Sequence, residues 1–230
     1  MADAPKPKRR GGCFTRVVIF FLLIVLTALG CGVYSVFQPQ SLEDIATRDE
    51  AGGNLRNLDA ALRESLERGF PTTITEGQLN AWIAHRLAAK QGGMLSSVAT
   101  LDGVRIRLED GRAEIVTLRT VLGHPLTVSL YVQVRQTEGA QGLKKEVLLQ
   151  GGAYDPDFPK LLRGGRFGTL VVPQGFLVLV LPGYQKLAAV FTDEIENALQ
   201  EMSVIEIQKD RLVLNPLAKD APALNVPGTF

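Results

Sequence analysis

His85 and His124 are the two side chains best suited to acid–base or metal chemistry near neutral pH, and they fall in different stretches of the chain. Neither has a second histidine, cysteine or carboxylate at metal-ligand spacing beside it. Carboxylates occur in pairs at Glu109-Asp110, Asp155/Asp157 and Asp193-Glu194. Two carboxylates do acid–base work when their surroundings force their pKa values apart, and a turn or helix-surface position does not do that. Asp155 and Asp157 flank a proline with no calcium-loop pattern after them, which is a turn signature. Lys160, Arg163 and Arg166 surround Gly164-Gly165, a pattern that could hold a phosphate or lipid headgroup through charge and backbone N–H groups. The spacing is not that of a phosphate loop, so the stretch reads as a solvated basic loop or a headgroup contact. There is no GxSxG, HExxH or GxGxxG. The expectation is a protein with no catalytic residues, no metal and no cofactor.

The elements that would carry any site begin with Val17–Phe37, 21 residues without a charge. As a helix this is about 31 Å, the thickness of a bilayer's hydrocarbon core. Lys6, Lys8, Arg9, Arg10 and Arg16 precede it against one acid, Asp3, whereas Glu43 and Asp44 follow. The positive-inside rule then puts residues 1–16 in the cytoplasm as a basic tail and the rest across the membrane. The expected location is a cytoplasmic (inner) membrane crossed once, with an extracytoplasmic domain. Residues 38–230 hold 20 bases and 23 acids, so the folded part has no nucleic-acid footprint. Both cysteines, Cys13 and Cys31, lie in or beside the apolar stretch, leaving an outer domain that must be stable without disulfides. The ALGC ending at Cys31 loosely resembles a lipoprotein signal, but apolar sequence continues through Val33, Tyr34, Val36 and Phe37, as a span requires and a cleaved signal does not.

Residues 38–70 read as a helical stalk or linker. Ser41 can cap a short helix with Glu43 and Asp44 in its first turn, and Gly52-Gly53 interrupts it. Asn54 can cap a second helix with a stripe at Leu55, Leu58, Leu62 and Leu66, suited to packing on the domain or to docking a partner. Residues 71–215 form the expected α+β domain. Thr75 and Gln78 have capping-box spacing for a helix to about Lys90, with Leu79, Trp82, Ile83 and Leu87 on one face and His85 off it. From Val98 the apolar period drops to two: Val104, Ile106 and Leu108, a turn at Asp110-Gly111, then a strand from Arg112 to Leu122. Leu126, Val128, Leu130, Val132 and Val134 alternate with polar residues, and another strand runs through about Tyr154. Leu170–Leu181 is too short to span a bilayer and reads as strand, turn and buried run, or as an exposed apolar lip. A single helix is expected from about Tyr184 to Met202, then a hairpin around Gln208-Lys209-Asp210, then a loose tail at 216–230.

ITEGQLNAWIAHRL, the meander, GTLVVP and VIEIQKDRLVLNP follow one another in an order that resembles the small membrane-anchored YpmS-like and LmeA-like bacterial envelope proteins. Those are similar to half-modules of the tubular lipid-binding superfamily. The resemblance covers about residues 72–215 and implies a long curved antiparallel sheet around helices with an apolar groove for acyl chains. It carries over no catalytic residue.

Two functions follow as expectations. In the first, the domain binds lipid or another hydrophobic ligand between walls formed by Leu79, Trp82, Ile83, Val128, Leu130, Val132, Phe176 and Leu179, with Lys160, Arg163 and Arg166 available to a headgroup. In the second, the core is solid and the domain docks another envelope protein. An internal cavity of several hundred Å3 separates them, since core and groove walls have the same composition.

Overall fold

The computed structural model describes residues 12–46, 58–90, 99–139, 142–149 and 163–216. The chain is α+β: one apolar N-terminal helix followed by two antiparallel sheets and amphipathic helices. Helix α1 is Gly12–Phe37, and by length and composition its Phe14–Phe37 stretch can be a membrane span or a signal sequence. Its side chains are almost all exposed.

Helix α2 is Leu58–Arg68. Strand β1 is Thr72–Thr75 and helix α3 is Glu76–Lys90. The capping box forms as its spacing predicts: Gln78 N–H donates to Thr75 Oγ1 at 3.2 Å and Thr75 N–H to Gln78 Oε1 at 3.1 Å. Strands β2 (Ala99–Glu109), β3 (Arg112–Val121), β4 (His124–Gly139) and β5 (Gly142–Leu149) make the meander. Strand β4 is 16 residues long and serves two neighbours along one edge. Its outer half pairs with β5, and Val128–Leu130 pair with β6 (Arg163–Phe167). Strand β7, Leu170–Pro173, closes that edge.

A 3-10 helix over Gln174–Leu179 leads into α4 (Leu181–Val190) and α5 (Thr192–Glu201). The single helix expected over 184–202 is therefore two, broken at Phe191, where ψ of 24° leaves the helical region. Strands β8 (Val204–Gln208) and β9 (Arg211–Asn215) form the last hairpin, and β1 joins β9 to complete a three-stranded sheet. The sheets meet at one end: Gly111 N–H donates to Ile207 O at 2.8 Å, and Asp210 N–H to Leu108 O at 3.2 Å.

Two further expectations are corrected. The basic glycine stretch is not a solvated loop, because Arg163–Phe167 is a strand in the sheet with Gly164 and Gly165 buried. Ser41–Ala46 is an ordered turn with Ile45 fully buried, not a helix. Of the two uses of the leucine stripe, helix α2 shows packing on the domain: Leu62 is buried in the main core with Leu58 and Leu66 packed against it. Asn54, Leu55, Asp155, Asp157, Lys160 and the tail from 217 lie outside the described residues.

Candidate functional site: an apolar groove and the polar back of its sheet

Alternation fixes which side chains of the meander face the helices. The register sets Val104 opposite Thr117, Ile106 opposite Ile115 and Leu108 opposite Ala113, and continues through Ile115 opposite Leu130 and Ala113 opposite Val132. All of these point to one face. Helices α2, α3, α4 and α5 and the inner face of the β8–β9 hairpin cover that face without filling the space beneath them. A cavity of about 510 Å3 remains. Its walls are aliphatic and aromatic, with Tyr184, Gln185 and Glu194 as the polar lining residues.

Each polar member is accounted for. The Tyr184 phenol donates to the sheet's own carbonyls, Val128 O at 2.7 Å and Ile115 O at 3.1 Å, which pins α4 to the sheet. Burial pushes that phenol well above its ordinary pKa of 10, so it is a fixed neutral donor and not a base. Glu194 is ion-paired with Arg86, whose guanidinium lies 5.8 Å from the Trp82 ring centre. Trp82 and Phe191 pack at 5.3 Å between ring centres. Gln185, Ala188 and Ile195 on the helices, and Val147 on β5, line the cavity and reach solvent, so the mouth runs between α4–α5 and β5. Lys145, also on β5, donates to Leu199 O at 2.6 Å and to Met202 O, fastening the end of α5 across the groove.

The opposite face of the same strands is polar and yet largely buried. Glu114 and Ser129 are fully buried, and Thr127 and Tyr131 nearly so. The segment after α1 reaches Thr127 directly and Glu114 through Arg107, while the Arg112 guanidinium lies 5.5 Å from the Tyr131 ring centre. Gln40 N–H donates to Thr127 Oγ1 at 3.0 Å, and Arg107 donates to Ser41 O at 3.2 Å and to Asp44 at 2.9 Å. Arg107 also pairs with Glu114, whose other oxygen accepts the Ser129 hydroxyl at 2.6 Å. Burial alone would lower the Arg107 pKa, but Asp44 and Glu114 outweigh it and keep the guanidinium charged. Further along, Asn80 donates to Ile106 O at 2.8 Å and Ala46 O at 3.2 Å while accepting from Ile106 N–H at 2.7 Å.

Glu76 completes this strap by accepting from Ala46 N–H at 2.8 Å and Leu108 N–H at 2.6 Å. Burial raises its carboxyl above the ordinary 4.5, against the pull of those two donors. A raised pKa in the folded state means that this carboxyl's contribution to stability is fully present below its unfolded value. The contribution is lost as pH rises through the folded pKa. Glu76→Gln should remove that pH dependence. It should also cost about 1–3 kcal/mol, because an amide offers one acceptor to two buried donors. Urea unfolding followed by emission of Trp82, the single tryptophan, at several pH values measures both.

Of the side chains singled out as groove walls, Leu79, Trp82, Ile83, Leu130 and Val132 do line the cavity. Val128 lies on the same face but beneath Leu177 and Tyr184 in a second buried cluster. Phe176 and Leu179 are exposed on the 3-10 helix and form no part of the wall. Arg166 sits on the polar back, 3.9 Å from Glu114, and not at the groove mouth. The Arg163 side chain lies outside the described residues. His85 is exposed on α3, whereas His124 opens β4 and packs edge-on against Phe37. Among the described residues no three His, Cys, Asp or Glu side chains converge as metal ligands. Reading apolar stripes missed the α5 wall at Ala198 and the sheet wall at Val147. Helix periodicity and strand alternation respectively were signals for both.

No protein-family model, curated protein or solved structure matches the chain.

Proposed function

We propose that the protein is a single-pass membrane-anchored module that holds a lipid or similar hydrophobic molecule in the groove and performs no catalysis. The anchor is α1, with the basic tail cytoplasmic and the domain on the other side of the membrane. The observation that carries the reading is the cavity itself. Its volume of about 510 Å3 falls in the range of roughly 300–1,000 Å3 typical of small-molecule sites. Its lining offers an apolar guest contact area and few hydrogen-bond partners, so shape and hydrophobicity select the ligand, as an acyl chain would require. The resemblance to lipid-binding envelope proteins points the same way. A partnership with another envelope protein remains the contrasting reading.

Residues 38–230, produced without α1, should carry a discrete adduct in native mass spectrometry that organic extraction identifies as lipid. Val132→Trp places a large ring on the groove floor, where the cavity can accept it, and should abolish the adduct while Trp emission still reports a folded core. Lipid retained by a folded Val132→Trp variant would sink the groove as the site. A clean apo mass for the parent, with no uptake from added phospholipid, would favour the protein-docking module.

A further inference from the structure

Helix α1 does not end in a free tether. Its last turn is capped by the β6–β7 turn: Ser35 O accepts from Thr169 N–H and from Thr169 Oγ1, each at 3.1 Å. Gly168, at φ 57°, sits so close that a Cβ there would lie 2.4 Å from both Val36 O and Gln38 O. Its own N–H donates to Thr127 O at 2.7 Å, joining the turn to β4. Phe37 packs on His124 at 6.2 Å between ring centres. Helix and domain are thus one joint, and whatever lies beside the joint is held at the level where α1 leaves the bilayer.

Exposed apolar side chains lie there. Leu122, at the β3–β4 turn next to His124, is 78% exposed and has φ of 50°. That first position of a two-residue hairpin turn normally takes asparagine, aspartate or glycine, not an apolar side chain. Val178 and Leu179 of the 3-10 helix are 71% and 72% exposed, while Leu177 just before them is buried. The helix that follows begins on the same end of the sheet: a Cβ on Gly183 would lie 3.1 Å from Arg119 Nη2, and Arg119 pairs with Leu126, two rungs from His124. Leu181 and Tyr184, on either side of Gly183, line the groove.

We infer that Leu122, Val178 and Leu179 form a lip that dips into the headgroup–acyl boundary of the leaflet from which α1 emerges. The lip then holds the Leu181 end of α4, the helix that flanks the groove mouth, against the leaflet. The occupant is a phospholipid surface because Leu122 lies two residues from His124, which packs on Phe37 at the end of α1, and exposed apolar side chains at that depth find an apolar solvent. The inference rests on α1 being a membrane anchor.

The test uses the full chain in vesicles of phosphatidylethanolamine and phosphatidylglycerol. Single cysteines at Leu122, Val178, Leu179 and, as references, Leu22 and Lys209 are introduced into a Cys13→Ser, Cys31→Ser background and labelled with an environment-sensitive dye. Probes at Leu122, Val178 and Leu179 should be quenched by shallow lipid-borne nitroxide and show a several-fold lower iodide quenching constant than the probe at Lys209, in the exposed β8–β9 turn. A lipid-shielded Leu22 probe with lip probes as open to iodide as Lys209 would overturn the lip and leave the anchor standing. A Leu22 probe open to iodide would overturn both.

Discussion

Arg107→Met should destabilise the domain by about 3–5 kcal/mol, the usual consequence of removing one partner from a buried ion pair. Glu114 is fully buried at the back of the sheet, and Arg107 is its close cationic partner, with Arg166 Nε at 3.9 Å. Without the guanidinium, Glu114 keeps the Ser129 hydroxyl and that distant arginine, too little to offset desolvation of a full charge. The same substitution unfastens Ser41 and Asp44, so the strap between α1 and the domain should become a protease target. Arg107→Met combined with Glu114→Leu should recover most of the loss, because an apolar pair of similar volume needs no counter-charge. Urea midpoints read from Trp82 emission order the three proteins. Equal midpoints for the parent and Arg107→Met would mean that Glu114 is hydrated and the strap is not seated as described.

The strap explains why part of this fold was hidden in the sequence. The alternation of Leu126 to Val134 with polar residues named the two faces of β4 correctly, because a period of two needs no tertiary information. It could not say that Thr127 and Glu114, on that back face, are buried, since residues 40–44 bind Thr127 and the Arg107 that pairs with Glu114. Groove candidates divided for the same reason. Leu79, Trp82, Ile83, Leu130 and Val132 sit on regular elements whose inward face the pattern fixes. Phe176, Leu177, Val178 and Leu179 form an irregular apolar run in which composition does not reveal that Leu177 alone turns inward. The continuous stripe Leu187, Phe191, Ile195 and Leu199 marks the groove-lining face of α4–α5 but not the break at Phe191, whose ring turns onto Trp82. The basic stretch from Arg163 was misplaced because glycine and arginine carry little β propensity. A glycine inside a strand, however, marks a close backbone approach, and Gly165 is such a place.

Gly165→Ala should cost about 3 kcal/mol or more, at or beyond the upper end of ordinary overpacking effects. Gly165 faces Leu130 where β6 leans across β4, and a Cβ there would fall 1.9 Å from Ser129 O, 3.0 Å from Ser129 C and 3.3 Å from Leu130 Cα. All three are backbone atoms of the paired strand, so no side chain can swing aside to make room. Strand β6 would have to lift from β4, taking Phe167 out of the cluster it shares with Leu177 and Tyr184 and moving the Gly168 turn that caps α1. The stability loss should therefore come with faster proteolysis after Phe37 and, where the groove holds lipid as proposed, with weaker retention of it. Gly103→Ala is the matched control: its Cβ would meet Leu118 Cδ1 at 3.8 Å, an ordinary contact, and stability should stay within about 1 kcal/mol of the parent. If Gly165→Ala unfolds with the control, β6 is not held against β4 at that distance. If it is destabilised yet keeps its joint protected after Phe37, β6 and the end of α1 are not coupled through the Gly168 turn.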